Sequence, residues 1–217
     1  MPVKVYKLDL SPPARAVIMA CDIYKVPVEF IDVDLMNKEH LKPAYLKMNP
    51  LHTVPVLVDD DVILHDSHAI LIYLSEVYGN NGTLYPNNVK QRALINQKLF
   101  FNNSYLFTRL GNVTYPIFMS GARGVDQKKL DDINVAYGIL EEFLTRTTFL
   151  AGDNLTIADI AAFTTVCGLM YILPIDNSRY PKINSWIKKL ENQPYAKKCN
   201  EQPAKMYGQF IQKAIQQ

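Results

Sequence analysis

The stretch VKVYKLDLSPPARAVIMACDIYKVPVEFIDV, residues 3–33, decides the fold. Its two ends, VKVYKL at 3–8 and VEFIDV at 28–33, are rich in β-branched and aromatic residues and read as strands. Between them Ala14, Val17, Ile18, Cys21 and Ile23 recur at mostly helical spacing. Strand, helix and strand in that order form a βαβ unit, because two parallel strands need a crossover connection.

Outward from this unit, a second helix is expected near residues 40–48. PVLVD from Pro55 and DVILH ending at His65 then read as a hairpin turning at Asp59 to Asp61, followed by a helix from Ser67 to Tyr78. The resulting order is β-α-β-α-β-β-α. GNNGTLYPNN, residues 79–88, is rich in Gly, Asn and Pro, lacks periodicity and reads as a linker. Beyond it, residues 89–120, 126–145, 156–171, 181–191 and 204–215 carry helical periodicity. The expectation is an α/β domain over 1–79, a linker over 80–88 and an all-α domain over 89–217.

The totals narrow the function. With 23 basic against 21 acidic residues, a net charge of +2 and no long Lys/Arg run, the chain lacks the footprint of a nucleic-acid binder. Its three cysteines, Cys21, Cys167 and Cys199, are odd in number and have neither C-x-x-C nor metal-type spacing. No metal site and a reducing compartment are expected. The N-terminus has no signal-peptide pattern, and no apolar run approaches the roughly 18 residues of a membrane span. The expectation is a cytoplasmic protein with no membrane partner.

Three segments could carry chemistry. Ser11-Pro12-Pro13-Ala14 lies where the first strand gives way to the first helix, with prolines where a missing N–H costs nothing. Ser11 either only caps that helix or presents its hydroxyl, with the helix N-terminus, to a sulfur. In thioredoxin-like folds this turn carries redox cysteines; Ser11 and Ala14 stand in their places, which excludes dithiol chemistry. In NPLHTVPVL, residues 49–57, Pro55 opens a strand, and it can be cis with a ligand-pairing residue before it, or an ordinary edge-strand proline. His52 in the same segment reads as a surface histidine or a ligand contact. Asp66-Ser67-His68-Ala69-Ile70 opens a helix, where Asp66 or Ser67 is a cap and first-turn N–H groups can accept a carboxylate. Thr156-Ile157-Ala158-Asp159 is a capping box and reads as structural.

LSPPARAV at 10–17, EHLKPAYLKMNPLHTVPVL at 39–57, DSHAILIYL at 66–74 and AGDNLTIAD at 151–159 together resemble the cytosolic glutathione transferases, within them the insect delta/epsilon group, and most closely its epsilon class. The resemblance spans nearly the whole chain. It implies a thioredoxin-like domain that binds glutathione as co-substrate, with no metal. It also implies an all-α domain holding a hydrophobic-substrate site, and a homodimer with Phe101 near its two-fold axis. The implied work is detoxification: conjugation of glutathione to small hydrophobic electrophiles, with possible peroxidase or dehydrochlorinase side activity.

By resemblance, Ser11 is the catalytic donor to the glutathione thiolate. His52 matches the glycine-end contact, Val54 the main-chain partner of the cysteinyl unit, and Pro55 the cis-proline. Asp66 matches the ammonium ligand and Ser67 the γ-glutamyl carboxylate ligand. Thr53, His40 and His68 complete the implied glutathione set. The implied hydrophobic-substrate set is Leu10, Pro12, Met36, Phe107, Leu110, Tyr115, Phe118, Met119, Met206 and Phe210. Met and aromatic residues at such spacing also serve as core. Where many epsilon members place an arginine and an acidic residue, this chain has Gly111 and Tyr115, which implies a more open, less charged inner edge to the pocket. Tyr6 is the rival hydroxyl to Ser11, since other classes use a tyrosine. A non-catalytic, ligandin-like carrier of hydrophobic compounds is the rival function, and the intact set Ser11, His52, Asp66 and Ser67 argues against it.

Overall fold

The computed structural model describes residues 2–79 and 82–216. Asn80 and Asn81, where the stretch read as a linker begins, lie outside the described residues, as do Met1 and Gln217. The N-terminal half runs β1 (Val3–Lys7), α1 (Pro12–Tyr24), β2 (Val28–Asp32), a short 3-10 turn (Glu39–Leu41), α2 (Pro43–Met48), β3 (Val56–Asp59), β4 (Val62–His65) and α3 (Ser67–Val77). The four strands form one sheet in the order β2-β1-β3-β4. β1 pairs parallel with β2, Val5 facing Phe30, and antiparallel with β3, Val5 facing Leu57. This mixed βαβ-ββα sheet is the thioredoxin-like half of the fold.

Burial follows the pleat. Val3, Val5 and Lys7 of β1 point inward, while the residues between them are half-exposed. The inward face meets the apolar stripe of α1, made by Ala16, Val17, Met19, Ala20 and Cys21, and Ile70, Leu71 and Leu74 of α3. α1 ends where Lys25 turns left-handed at φ 54°.

The second half is all helical: α4 (Val89–Phe101), a π-helical segment (Asn102–Phe107), α5 (Thr108–Ser120), α6 (Gln127–Arg146), α7 (Ile157–Leu169), α8 (Pro181–Glu191), the short α9 (Pro194–Ala196), a second π-helical segment (Lys197–Glu201) and α10 (Gln202–Ile215). α7 is buried on nearly every side. Its N-terminus is fastened by Asp159, whose Oδ2 accepts from the Thr156 N–H at 3.0 Å and the Thr156 hydroxyl at 2.8 Å. Oδ1 accepts from the Leu150 N–H at 2.9 Å and from Trp186 Nε1 at 3.0 Å. Burial raises the pKa of this carboxyl, and these hydrogen bonds oppose the rise.

Two stretches carry detail beyond the sequence reading. The span 89–120 is not one uniform helix: the π segment inserts a wider turn at Asn102–Phe107, and turns of that kind often mark functional positions. The stretch read as a linker is not free of the body either. Leu84 and Tyr85 are buried, the Leu84 carbonyl accepts from the Ile157 N–H at 3.1 Å, and Tyr85 donates to Asn96 at 3.1 Å.

Candidate active site

Ser11 ends the loop after β1 and caps α1. Its Oγ accepts from the Ala14 N–H at 3.4 Å, and its carbonyl accepts from the Arg15 N–H at 3.0 Å. A hydroxyl that accepts at its oxygen still has its hydrogen to give. Capping and donation to a ligand are therefore compatible at this residue. The loop is fixed from behind by Arg15, which is fully buried. Its Nη1 donates to the Leu10 carbonyl at 2.7 Å and its Nε to Asn200 Oδ1 at 2.7 Å. Burial pushes the guanidinium down to about 10, so it remains charged at neutral pH.

The second segment is shaped by Asn49, which is fully buried between α2 and β3. Its Nδ2 donates to the Thr53 carbonyl at 2.9 Å, which also takes the Tyr45 hydroxyl at 2.7 Å. His52 is exposed with φ 47°, and the Val54–Pro55 bond is cis. The β1–β3 ladder ends at Tyr6 with Val56, so Val54 keeps its main chain outside the sheet. The His40 and His52 rings lie 6.1 Å apart. Burial, then the neighbouring His52, lowers the His40 pKa.

The third segment is the start of α3. Asp66 sits at φ 72°, a conformation that costs a non-glycine residue on the order of 1–3 kcal/mol and persists where the surroundings enforce it. Its Oδ1 accepts from the His68 N–H at 2.8 Å and the Ala69 N–H at 3.4 Å. Hydrogen bonding to His68 is the main cause that holds its pKa below the ordinary value. Two of the first-turn N–H groups are thus already taken by Asp66, leaving the Ser67 N–H and hydroxyl as donors the cap does not use. The His68 ring is held between Asp66 Oδ1, 3.2 Å from Nδ1, and Asn102 Nδ2, 2.9 Å from Nε2. A carboxylate can only accept, so Nδ1 donates to Asp66.

These segments converge on one cavity of about 190 Å³. Thr53, Val54 and Pro55 form one side of it, and Asp66, Ser67 and His68 another. Phe107 and Tyr115 supply an aromatic wall from the helical half. One wall thus offers main chain, a carboxylate and helix-terminal donors, and the other sets the Phe107 and Tyr115 rings beside polar side chains. That combination suits a small zwitterionic ligand carrying a reactive group toward a hydrophobic partner. Two larger depressions, about 650 Å³ along α8 and about 540 Å³ beside α7, contain none of the residues expected at the site.

The comparisons identify the family. Residues 5–82 match the glutathione S-transferase N-terminal domain, and residues 109–194 match the glutathione S-transferase C-terminal domain. This chain belongs to the glutathione S-transferases. Glutathione S-transferase 1 of Manduca sexta is 41% identical over 202 residues, covering 92% of this chain and 93% of that protein. An epsilon-class transferase structure from the housefly, Musca domestica, superposes with a TM-score of 0.95 at 38% identity over 98% of each chain. A delta-class transferase structure from Nilaparvata lugens superposes at 0.91 with 35% identity, over 98% of this chain and 100% of that one. The chain is therefore an enzyme, a glutathione transferase of the insect delta/epsilon group.

Within this transferase, several expected site residues fall outside the cavity. Ser11 is half-buried at the start of α1 and is represented in the lining by its neighbour Pro13. His52 lies between the lining residues Leu51 and Thr53 without lining the cavity itself, and His40, Leu10 and Pro12 are not part of the lining either. Met36 is 89% exposed in the turns after β2. Leu110 is 1% exposed, packs toward Gly168 and does not line the cavity. Phe118 and Phe210 stack at 5.0 Å, and they, Met119 and Met206 are exposed and do not line the cavity. At the inner edge, the Tyr115 ring occupies the space over Gly111.

Sequence reasoning missed Asn102 and Asn103, which line the cavity from the π segment. Asn103 Nδ2 reaches Asp66 Oδ2 at 3.4 Å. The available signal was two adjacent amides inside the largely aromatic and aliphatic run LFFNNSYLF. His65, Ala161 and Thr165 also line it and carry no comparable signal.

Proposed function

We propose that this transferase binds glutathione across the Thr53–Pro55 and Asp66–Ser67 walls and joins its sulfur to hydrophobic electrophiles, with Ser11 as thiolate donor. The observation that carries the reading is the shared cavity, where Thr53, Val54, Pro55, Asp66 and Ser67 face Phe107 and Tyr115. Asp66, charged at neutral pH, takes the γ-glutamyl ammonium, and the Ser67 donors take the adjoining carboxylate. His52, with His40 beside it, takes the glycine carboxylate. Ser11 gives its hydroxyl hydrogen to the sulfur, and the N-terminus of α1 adds favourable potential for a negative charge. The thiolate then attacks the electrophile: a carbon–sulfur bond forms, the leaving group departs with its electron pair, and the thiol proton goes to solvent.

The chain's own thiols are unsuited to this role. Burial pushes Cys21 up to about 12 and Cys167 up to about 11 and raises Cys199 as well, which disfavours a thiolate at each. The reading places the protein in the epsilon class, as a cytoplasmic homodimer acting in detoxification. Among the described residues no helix is long and apolar enough to cross a membrane, and no group of His, Cys, Asp or Glu is arranged to hold a metal ion.

The test is turnover of chlorodinitrobenzene with glutathione, followed by the pH dependence of Ser11→Ala and Tyr6→Phe. The expected result is a midpoint raised by Ser11→Ala and unmoved by Tyr6→Phe. The reverse pattern gives the thiolate role to Tyr6.

A further inference from the structure

Helix α5 carries a buried glycine, Gly111, in its interior, where glycine is among the poorest helix formers. A Cβ placed at Gly111 would stand 2.8 Å from Cε2 and 3.0 Å from Cδ2 of Tyr115, one helical turn further on. The Tyr115 ring therefore lies against bare backbone. From that position it meets the edge of Phe107 at a centroid distance of 6.5 Å, lines the cavity with it, and remains 54% exposed. Among the described residues, no other that lines this cavity presents an exposed aromatic ring of that size.

We propose that Gly111 is a specificity-determining positioning residue: by admitting the Tyr115 ring against the helix, it builds an aromatic wall of two edge-on rings that favours planar aromatic electrophiles over saturated aliphatic ones. An alanine at 111 displaces the ring along or away from the helix and breaks its edge contact with Phe107. Aromatic rings gain from stacked and edge-on geometry beyond simple burial, whereas an alkyl chain gains from any apolar surface. The wall therefore acts on the choice between electrophiles and leaves glutathione binding alone. The inference rests on the glutathione-conjugating reading above.

The test compares kcat/KM for chlorodinitrobenzene and for iodohexane at saturating glutathione. Gly111→Ala should lower the aromatic-over-aliphatic ratio about fivefold, the scale of one aromatic contact, with KM for glutathione unchanged. Tyr115→Ala should lower it similarly, and adding Gly111→Ala to Tyr115→Ala should change it no further. A ratio unmoved by Gly111→Ala, or an equal fall in the Tyr115→Ala background, overturns the proposal. Melting temperatures give a readout independent of turnover. Gly111→Ala should raise Tm by about 2–4 °C when Tyr115 is Ala, where the new methyl meets no ring, and give no such gain when the ring is present. An equal gain in both backgrounds also overturns it. If the wild-type chain conjugates neither electrophile, the functional reading fails, and the melting comparison still decides whether the glycine is there for the ring.

Discussion

At Ser11 the first question is how much one hydroxyl contributes. A free thiol with pKa of roughly 8.5 is only about 3% thiolate at pH 7. A drop of about two pKa units corresponds to near 2.7 kcal/mol and raises the thiolate to about three quarters. Nucleophilicity falls as the pKa falls, by roughly 6- to 10-fold for a slope of about 0.4 to 0.5, so the net gain is a few-fold. Most of the acceleration then comes from holding the sulfur beside the electrophile. Ser11→Ala should move the pH–rate midpoint of kcat/KM upward by about one unit or more, with a rate near wild type at high pH. Asp66 has a capping role and a proposed glutathione-binding role, and substitutions can separate them. Asp66→Ala should weaken glutathione binding by about 1.5–3 kcal/mol and also lose the cap. Asp66→Asn keeps a good capping oxygen and should lose affinity with little loss of stability, which calorimetry and urea unfolding measure side by side. Because hydrogen bonding lowers the folded pKa of Asp66 from 3.8, its contribution to stability is full above that pH. It is lost as the pH falls through the folded value.

Among the elements, α7 depends most on one side chain. Asp159 uses both oxygens to accept from Thr156, Leu150 and Trp186 inside the core. Asp159→Asn replaces one acceptor with a donor aimed at other donors. The expected loss is about 2–4 kcal/mol in urea unfolding, against about 1 kcal/mol for Thr156→Ala. Equal losses would show that the carboxylate is a simple cap. The raised pKa of Asp159 works in the opposite sense to that of Asp66: its burial is least costly when protonated, so this residue's contribution declines as pH rises above 3.8 toward its folded value. The π segment at Asn102–Phe107 is the element that brings Asn102, Asn103 and Phe107 to the cavity. A uniform helix would turn the residues after it by a different angle, because a π turn holds an extra residue.

The whole molecule is expected to act as a homodimer. In the run Leu99-Phe100-Phe101 it is Phe100 that is exposed, at 71%, with Leu94 on the same helix at 49%. Phe101 is half-buried, stacked on Tyr105 at 5.6 Å and edge-on to Phe143 at 5.1 Å. Phe101 therefore braces α4 against α6 within one subunit, and Phe100 offers the apolar surface. Light scattering at micromolar concentration should return twice the chain mass, and Phe100→Asp should shift it toward the single-chain mass. A single-chain mass for the unaltered protein would remove the dimer.

Much at this scale was legible in the sequence alone, because local chemistry decides it. The alternation in VKVYK, the prolines after Ser11, the hairpin turn at Asp59 to Asp61 and the capping box at Thr156 each act on their nearest neighbours. The periodic apolar runs after residue 88 announced an all-helical half for the same reason. Which apolar residues face the cavity was not legible, since periodicity marks a face and does not say what covers it. Leu110 and Tyr115 lie on the same helix, yet Leu110 packs toward Gly168 in the core while Tyr115 reaches the cavity over Gly111. The same holds for Asn102 and Asn103: their place at the cavity comes from the wider π turn and from His68 and Asp66 on α3, contacts 34 and 37 residues distant that only the packed chain brings together.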